Sequence, residues 1–438
     1  MLSNLFALVI PAALATFTPS APRGEQIIQI SNGKSEVCVI PKRFSDAVFS
    51  KDDLESEKML CDLGNNVATA LCPKVESTNP AVEFYSVPQG MSAVQVEAKT
   101  CEVEGAKKLA KYKNSISCSY TPSLLAYYHV SRILGNVLEV PPAVLRTFDL
   151  AKHQQIAAKG ISFTAADPKK SFLKEIWQGF ARHLNSPTKS SKKDILFTDD
   201  LKQSYGALQE NPRKEEKYSE MFFSAKAPQT RADAFRNRSP VYKLLTDKRA
   251  LREVVPDRWD AKNVQLVQQM RDVSEMIIID TMLSQEDRFG NVHYKNSYYF
   301  VDTSDGIPRV GRKNKMDEAD VRAKSAVQVK RMMLKDNDCG VNRRTNSALN
   351  ARLIMGVSHV NPGTYARVLK LNKELQNESA KEFFMKETMM NSNDFHVFEE
   401  NVELVTRTLQ TACREGRLQL DLDLTAHFTN VPVNQACE

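Results

Sequence analysis

The chain has 438 residues, 42% of them hydrophobic, with 60 basic and 53 acidic side chains and a net charge of +7. That length allows two or three domains and a large buried core. Acids and bases are well mixed, which speaks against a dedicated nucleic-acid binder, and no apolar run is long enough to sit stably across a bilayer.

Residues 1–15 read as an export signal. Leu5 to Ala15 is apolar and Ala13-Leu14-Ala15 fits a small-x-small cleavage site, although no Lys or Arg precedes the run. The mature chain is therefore expected to begin near Thr16, in a secreted, periplasmic or secretory-lumen setting. The eight cysteines, Cys38, Cys61, Cys72, Cys101, Cys118, Cys339, Cys413 and Cys437, agree. An even count in an exported chain predicts disulfides, concentrated in the first 120 residues where five of them lie. No CxxC pair occurs and no His stands at ligand spacing, so zinc is not expected.

Val82–Val87 reads as a strand. Ser92–Thr100 reads as a second one, because Val94, Val96 and Ala98 alternate with Gln95, Glu97 and Lys99. Pro88-Gln89-Gly90 would turn between them. Thr121–Gly135 has a capping Thr, Pro122 in the first turn, a face of Leu124, Leu125, Tyr128 and Ile133, and a terminal Gly, which predicts a helix. Residues 186–193 and 211–217 are polar, charged stretches of loop character within an expected insertion near 184–218. Leu266, Val267, Met270, Val273, Met276 and Ile277 mark an apolar helix face that ends near Asp280. Ser297–Val301 is a strand candidate followed at once by Asp302. Arg309, Arg312, Lys313 and Lys315 form a basic segment beyond it. Phe395–Arg414 is a long amphipathic helix, with Asp394 as a possible cap and Gly416 after it.

The segment between the helix at Asp280 and the strand at Asp302 holds two acids, an arginine, a glycine and two asparagines in a short loop. Helix, loop with Asp287-Arg288, strand, Asp is the order in which kinases place a catalytic base and a metal-binding carboxylate. Asp-x4-Gln-x-Asp-Arg, Asp280 to Arg288, resembles the D-x4-N-x-D-R-H loop of the atypical kinases, among them the HipA-type toxin kinases and the Golgi casein kinase family. Gln285 and Phe289 depart from that loop, and Asn291 falls four rather than five residues after Asp287. A helix ending Arg-Ile-Leu followed by Val140-Pro141-Pro142 and Arg146 is also similar to the Golgi casein kinase family.

The resemblance implies an α+β, bilobal protein-kinase-like fold, with a small strand-containing N-lobe over 16–148 and a larger, mainly helical C-lobe over 149–438. It implies an exported kinase that moves the ATP γ-phosphate, with Mg2+ or Mn2+, to a hydroxyl on a protein or glycan. Asp287 would be the base or orient the acceptor, Arg288 and Asp280 would hold the loop, and Asp302 would bind metal, with Asn291, Asn296 or neither as a second ligand. Lys99 would hold phosphates, with Gly90 as the only glycine near enough to cover them. The family's helix glutamate falls on Leu124. That gap, the shifted Asn and the missing Gly-rich loop favour a different reading, a non-catalytic exported binding protein (a pseudokinase) on the same fold. No HExxH, GxSxG or P-loop is present.

Overall fold

The computed structural model describes residues 24–31, 35–221, 228–341, 347–432 and 437. The export signal expected at 1–15 lies outside the described residues. The expected class holds: a strand-rich N-terminal part is followed by a mainly helical C-terminal part.

Seven strands form an antiparallel sheet in the order β1-β2-β6-β7-β5-β4-β3. They are β1 (Gly24–Ser31), β2 (Ser35–Pro41), β3 (Thr69–Pro73), β4 (Ala81–Ser86), β5 (Lys108–Lys113), β6 (Ala143–Asp149) and β7 (Gln203–Glu210). Because side chains alternate along a strand, each strand serves two cores. Cys38, Phe84, Tyr112, Phe148 and Leu208 face one side, with Leu60 and Cys61 of α1 (Lys51–Asp62) packed on them. Val39, Leu145 and Ala207 face the other, under α3 (Thr121–Ile133), whose thirteen residues are all buried. Gln203–Glu210, within the expected polar insertion, is the strand between β6 and β5, so the N-terminal sheet closes only at about residue 210.

Ser92–Thr100 is not a strand. Ala93–Ala98 is a short helix, α2, and Ser92 caps it through a reciprocal box with Gln95. The alternation that suggested a strand does not correspond to burial, since Val96 is buried and Val94 is 74% exposed.

The helical part is built around α7 (Ala261–Met282), capped by Asp260 and buried along most of its length. The amphipathic helix near the C-terminus, α9 (Ser392–Arg414), packs on it and is capped by Asn391 rather than Asp394. Between the two parts lies a four-stranded sheet. β9 (Val292–Asp302) pairs antiparallel with β10 (Arg309–Lys313), with β11 (Val327–Leu334) and with the short β8 (Glu216–Lys217). Leu334 is opposite Val292. The residues that follow β11 therefore arrive beside the loop that precedes β9.

All eight cysteines are bridged. Cys38–Cys61 and Cys72–Cys101 close within the N-terminal part, and Cys413–Cys437 ties the C-terminus to α9. Cys118–Cys339 spans 221 residues and joins the two parts.

Candidate active site

The loop from Leu283 to Asn291 leaves α7 and enters β9, and its shape is set by one buried arginine. Arg288 Nε donates to Asp280 Oδ2 at 2.8 Å and Nη2 to Asp280 Oδ1 at 2.9 Å. The same guanidinium donates to the Lys335 carbonyl at 3.0 Å and to Asn337 Oδ1 at 2.7 Å. Tyr127 of α3 adds a hydroxyl donor to Asp280 at 2.7 Å and lies under the Arg288 cation. Burial works against the guanidinium, but the Asp280 carboxylate outweighs it and raises the Arg288 pKa. The loop, the central helix and the segment after β11 are thus fixed to one another through a single side chain.

That segment reads Asp336-Asn337-Asp338-Cys339-Gly340. Glu286 N–H donates to the Cys339 carbonyl and Val341 N–H to the Leu283 carbonyl, so it runs alongside the Asp287 loop. Ser123 of α3 donates to the Asn337 carbonyl at 2.5 Å and accepts from Gly340 N–H at 3.0 Å. A Cβ at Gly340 would stand 2.7 Å from Ser123 Oγ and 2.8 Å from the Leu283 carbonyl, so only glycine fits between the helix and the loop.

Here the lysine enters. Lys113 closes β5, and its ammonium lies 2.9 Å from Asp338 Oδ1 and 3.0 Å from Asp336 Oδ1. Burial works against the ammonium, but the Asp338 and Asp336 carboxylates outweigh it and raise its pKa. The Lys113 charge in turn holds Asp336 well below the usual carboxylate range. Asp287 shares the cleft. Burial raises its pKa, Arg231 and Asn291 oppose this, and the charge of Asp336 adds to the rise. Arg231 of α6 (Pro228–Arg238) reaches the Asp287 carboxylate at 3.1 Å, passing over Gly290, where any Cβ would clash with it.

The sequence-derived residues divide accordingly. Asp280 and Arg288 form one buried ion pair, and Asp287, next to Arg288 in the same loop, is held by Arg231 and Asn291. Asn291 points its amide at the Asp287 carbonyl and carboxylate, at 2.8 and 3.2 Å, so it steadies Asp287 instead of facing the cleft as an oxygen ligand. Lys99 is an exposed residue at the end of α2, because the strand it was assigned to is a helix. Gly90 is exposed in a turn with nothing near it. The segment next to Lys113 is instead the β3–β4 turn, since Ala81 pairs with Lys113. Asp302 sits at the far end of the eleven-residue β9, where it accepts from Ser304 N–H in the hairpin turn. Ten residues of strand put it roughly 30 Å from the end that meets Asp287. Asp302 therefore stands well away from the Asp287 loop. Asp336 and Asp338, after β11, are the acids that meet a lysine.

Among the described residues no group of three or more His, Cys, Asp or Glu could by itself hold a metal ion. The donor set at Asp336 and Asp338 still fits a hard divalent cation. Both offer carboxylate oxygens, and Asp338 Oδ2 is buried with no hydrogen-bond partner. Mg2+ is characteristically bound by one or two carboxylates, with phosphate and water completing the shell.

The cleft thus brings a strand lysine held by two carboxylates beside an Asp-Arg loop. No family model and no curated protein matches the chain. Among solved structures the chain is similar to the Golgi casein kinase with Mn/ADP bound, at TM-score 0.44 and 11% identity, over 83% of this chain and 77% of that one. A second Golgi casein kinase structure aligns at TM-score 0.42 and 10% identity, over 96% and 91%.

Proposed function

We propose that this protein is a phosphotransferase that moves the γ-phosphate of ATP to a hydroxyl of a protein or glycan in an oxidising, exported setting. The observation that carries the reading is the Lys113 ammonium bridging Asp336 and Asp338 in the cleft that Asp287 also faces. Phosphoryl transfer is largely positioning and charge neutralisation, and this cleft offers both. Lys113 would bind phosphate oxygens. Asp336 and Asp338 would hold Mg2+ or Mn2+, which when bound neutralises charge on the phosphates. Asp287 would orient the acceptor hydroxyl and take its proton as the acceptor oxygen bonds to phosphorus and the bond to the ADP oxygen breaks. Arg288 and Asp280 are positioning residues. The four disulfides support an oxidising compartment.

One observation favours the non-catalytic reading, namely that the Asp287 carboxylate is engaged by Arg231. Calorimetry with ATP and Mg2+ or Mn2+, joined to labelled-phosphate transfer on a substrate panel, separates the two. For an enzyme, Asp336→Ala removes metal-supported ATP binding, and Asp287→Ala keeps binding but lowers transfer on the order of 10²–10⁴-fold. Asp302→Ala changes neither. A folded, oxidised wild type that binds no ATP with either metal overturns the kinase reading. One that binds ATP but transfers nothing leaves the binding protein.

A further inference from the structure

Two lysines beside Lys113 have no carboxylate of their own. Lys111 precedes Lys113 by two residues on β5 and therefore projects from the same face, opposite Gln209 as Lys113 is opposite Ala207. Lys74 opens the β3–β4 turn, with its N–H on the Ala81 carbonyl, and Ala81 in turn pairs with Lys113. The three ammoniums thus line one end of the sheet, over the cleft. Both Lys74 and Lys111 are half-buried, and among the described residues neither makes an ion pair or a side-chain hydrogen bond. The other charges around them are already matched. Lys335 is paired with Glu215 at 2.5 Å, Glu83 with Lys108 at 2.7 Å, and Asp287 with Arg231. Burial, reinforced by the neighbouring cations and opposed by the Asp336 carboxylate, pushes the pKa of both lysines down, to about 7 for Lys111. Their charge is costly as the protein stands, and an anion would relieve that cost.

Charge accounting gives the anion's partner. Lys74, Lys111 and Lys113 set against Asp336 and Asp338 leave one net positive charge. One divalent cation raises this to three, against the roughly four negative charges of a nucleoside triphosphate, so a single ion nearly balances the site. Without the two lysines, the same balance needs a second divalent ion, as protein kinases use, with an asparagine amide oxygen among its ligands. Here the corresponding asparagine, Asn291, turns its amide to Asp287. We propose that Lys74 and Lys111 take the place of a second metal ion, so that the protein binds its triphosphate with one divalent cation and two lysine side chains. This rests on the nucleotide-binding reading above and specifies how that same site neutralises phosphate.

The test uses the full oxidised chain with Mn2+ and ATP. Electron paramagnetic resonance counts bound Mn2+ per ATP complex, and calorimetry gives the affinity with Mn2+ and in chelator. One ion per complex is expected, with measurable ATP binding persisting in chelator. Lys74→Gln with Lys111→Gln should lower affinity on the order of 10–100-fold, on the scale of two lost charge-assisted contacts, and abolish binding in chelator. The double variant should melt at or above the wild-type temperature, since it removes repulsion and no ion pair, and this keeps a binding loss distinct from misfolding. Two Mn2+ per complex, or unchanged affinity in the double variant, overturns the proposal while leaving the kinase reading intact. A wild type that binds no ATP removes the kinase reading itself.

Discussion

Replacing Arg288 by Met is the sharpest test of the site's architecture. The side chains of Arg288 and Asp280 are 2% and 6% exposed, so their charges are matched inside the protein and not by water. In Arg288→Met the Asp280 carboxylate keeps only the Tyr127 hydroxyl among its side-chain donors, while the Lys335 carbonyl and Asn337 Oδ1 each lose a donor. Breaking a buried pair from one side costs about 3–5 kcal/mol, because the remaining charge is stranded. At roughly 1 °C per kcal/mol for a chain of this size, the melting midpoint should fall by about 3–5 °C.

A second arm separates this cause from simple loss of packing. Asp280→Leu combined with Arg288→Met removes both charges and should recover most of the loss, less about 1 kcal/mol for the Tyr127 hydroxyl left without an acceptor. Scanning calorimetry measures all three proteins. A deficit under about 1 kcal/mol, or one that the double variant does not reduce, would refute the buried network as the cause.

Asp272, buried on α7, has its pKa raised to about 7, chiefly by burial, with Glu275 adding to the rise and the Arg331 charge and the Met332 N–H opposing it. A raised carboxyl pKa stabilises below the unfolded value near 4 and loses that contribution as pH climbs to 7. Asp272→Asn should therefore be more stable than wild type at pH 8, by at most about 4 kcal/mol, and lose the advantage by pH 4–5 in denaturation curves. Gly340→Ala forces a Cβ against Ser123 and the Leu283 carbonyl and should cost about 1–3 kcal/mol, with ATP affinity reduced as Asp338 shifts; calorimetry reads both. Cys118→Ser with Cys339→Ser should lower stability by about 2–4 kcal/mol, and unchanged melting would show that the bridge adds nothing to the join between the two parts.

The helices around the site were legible because their signals agree with one another. α3 has proline in its first turn and an apolar face, and α7 repeats apolar residues at helical spacing over five turns. Where signals conflict, period alone misled. Ser92–Thr100 alternates like a strand, yet Ser92-x-x-Gln95 is a capping-box pattern, and in a six-residue element the cap outweighs the alternation. With that strand gone, Lys99 loses its place. The lysine that meets the acids ends the next segment, Lys108–Lys113, whose alternation is real: Ala110 and Tyr112 pack into the core on one face of the sheet, and Lys111 and Lys113 project from the other.

The acids that meet the lysine were harder to read, for a reason of topology. An acid that follows a strand is common, and the first one after the Asp287 loop is Asp302. But Asp302-Thr303-Ser304-Asp305-Gly306 is a turn sequence, and the strand it leads into, β10, runs back along β9 only as far as Tyr298, short of the cleft. A second antiparallel partner, β11, continues past that point to Leu334, opposite Val292 at the starting end of β9. The extent of pairing decides which acids can reach the lysine: β11 ends where β9 began, so the acids that follow it arrive beside Asp287. The same geometry accounts for the missing helix glutamate. In α3 the polar side chains Tyr128 and Arg132 are met by Glu57 and Asp53 of α1, on the side away from the cleft lysines. Lys113 draws its counter-charge from Asp336 and Asp338, which Ser123, Arg288 and the Cys118–Cys339 bridge hold in place. A leucine at position 124 is then no defect of the site, because the helix anchors the segment that carries the acids and does not need to supply one.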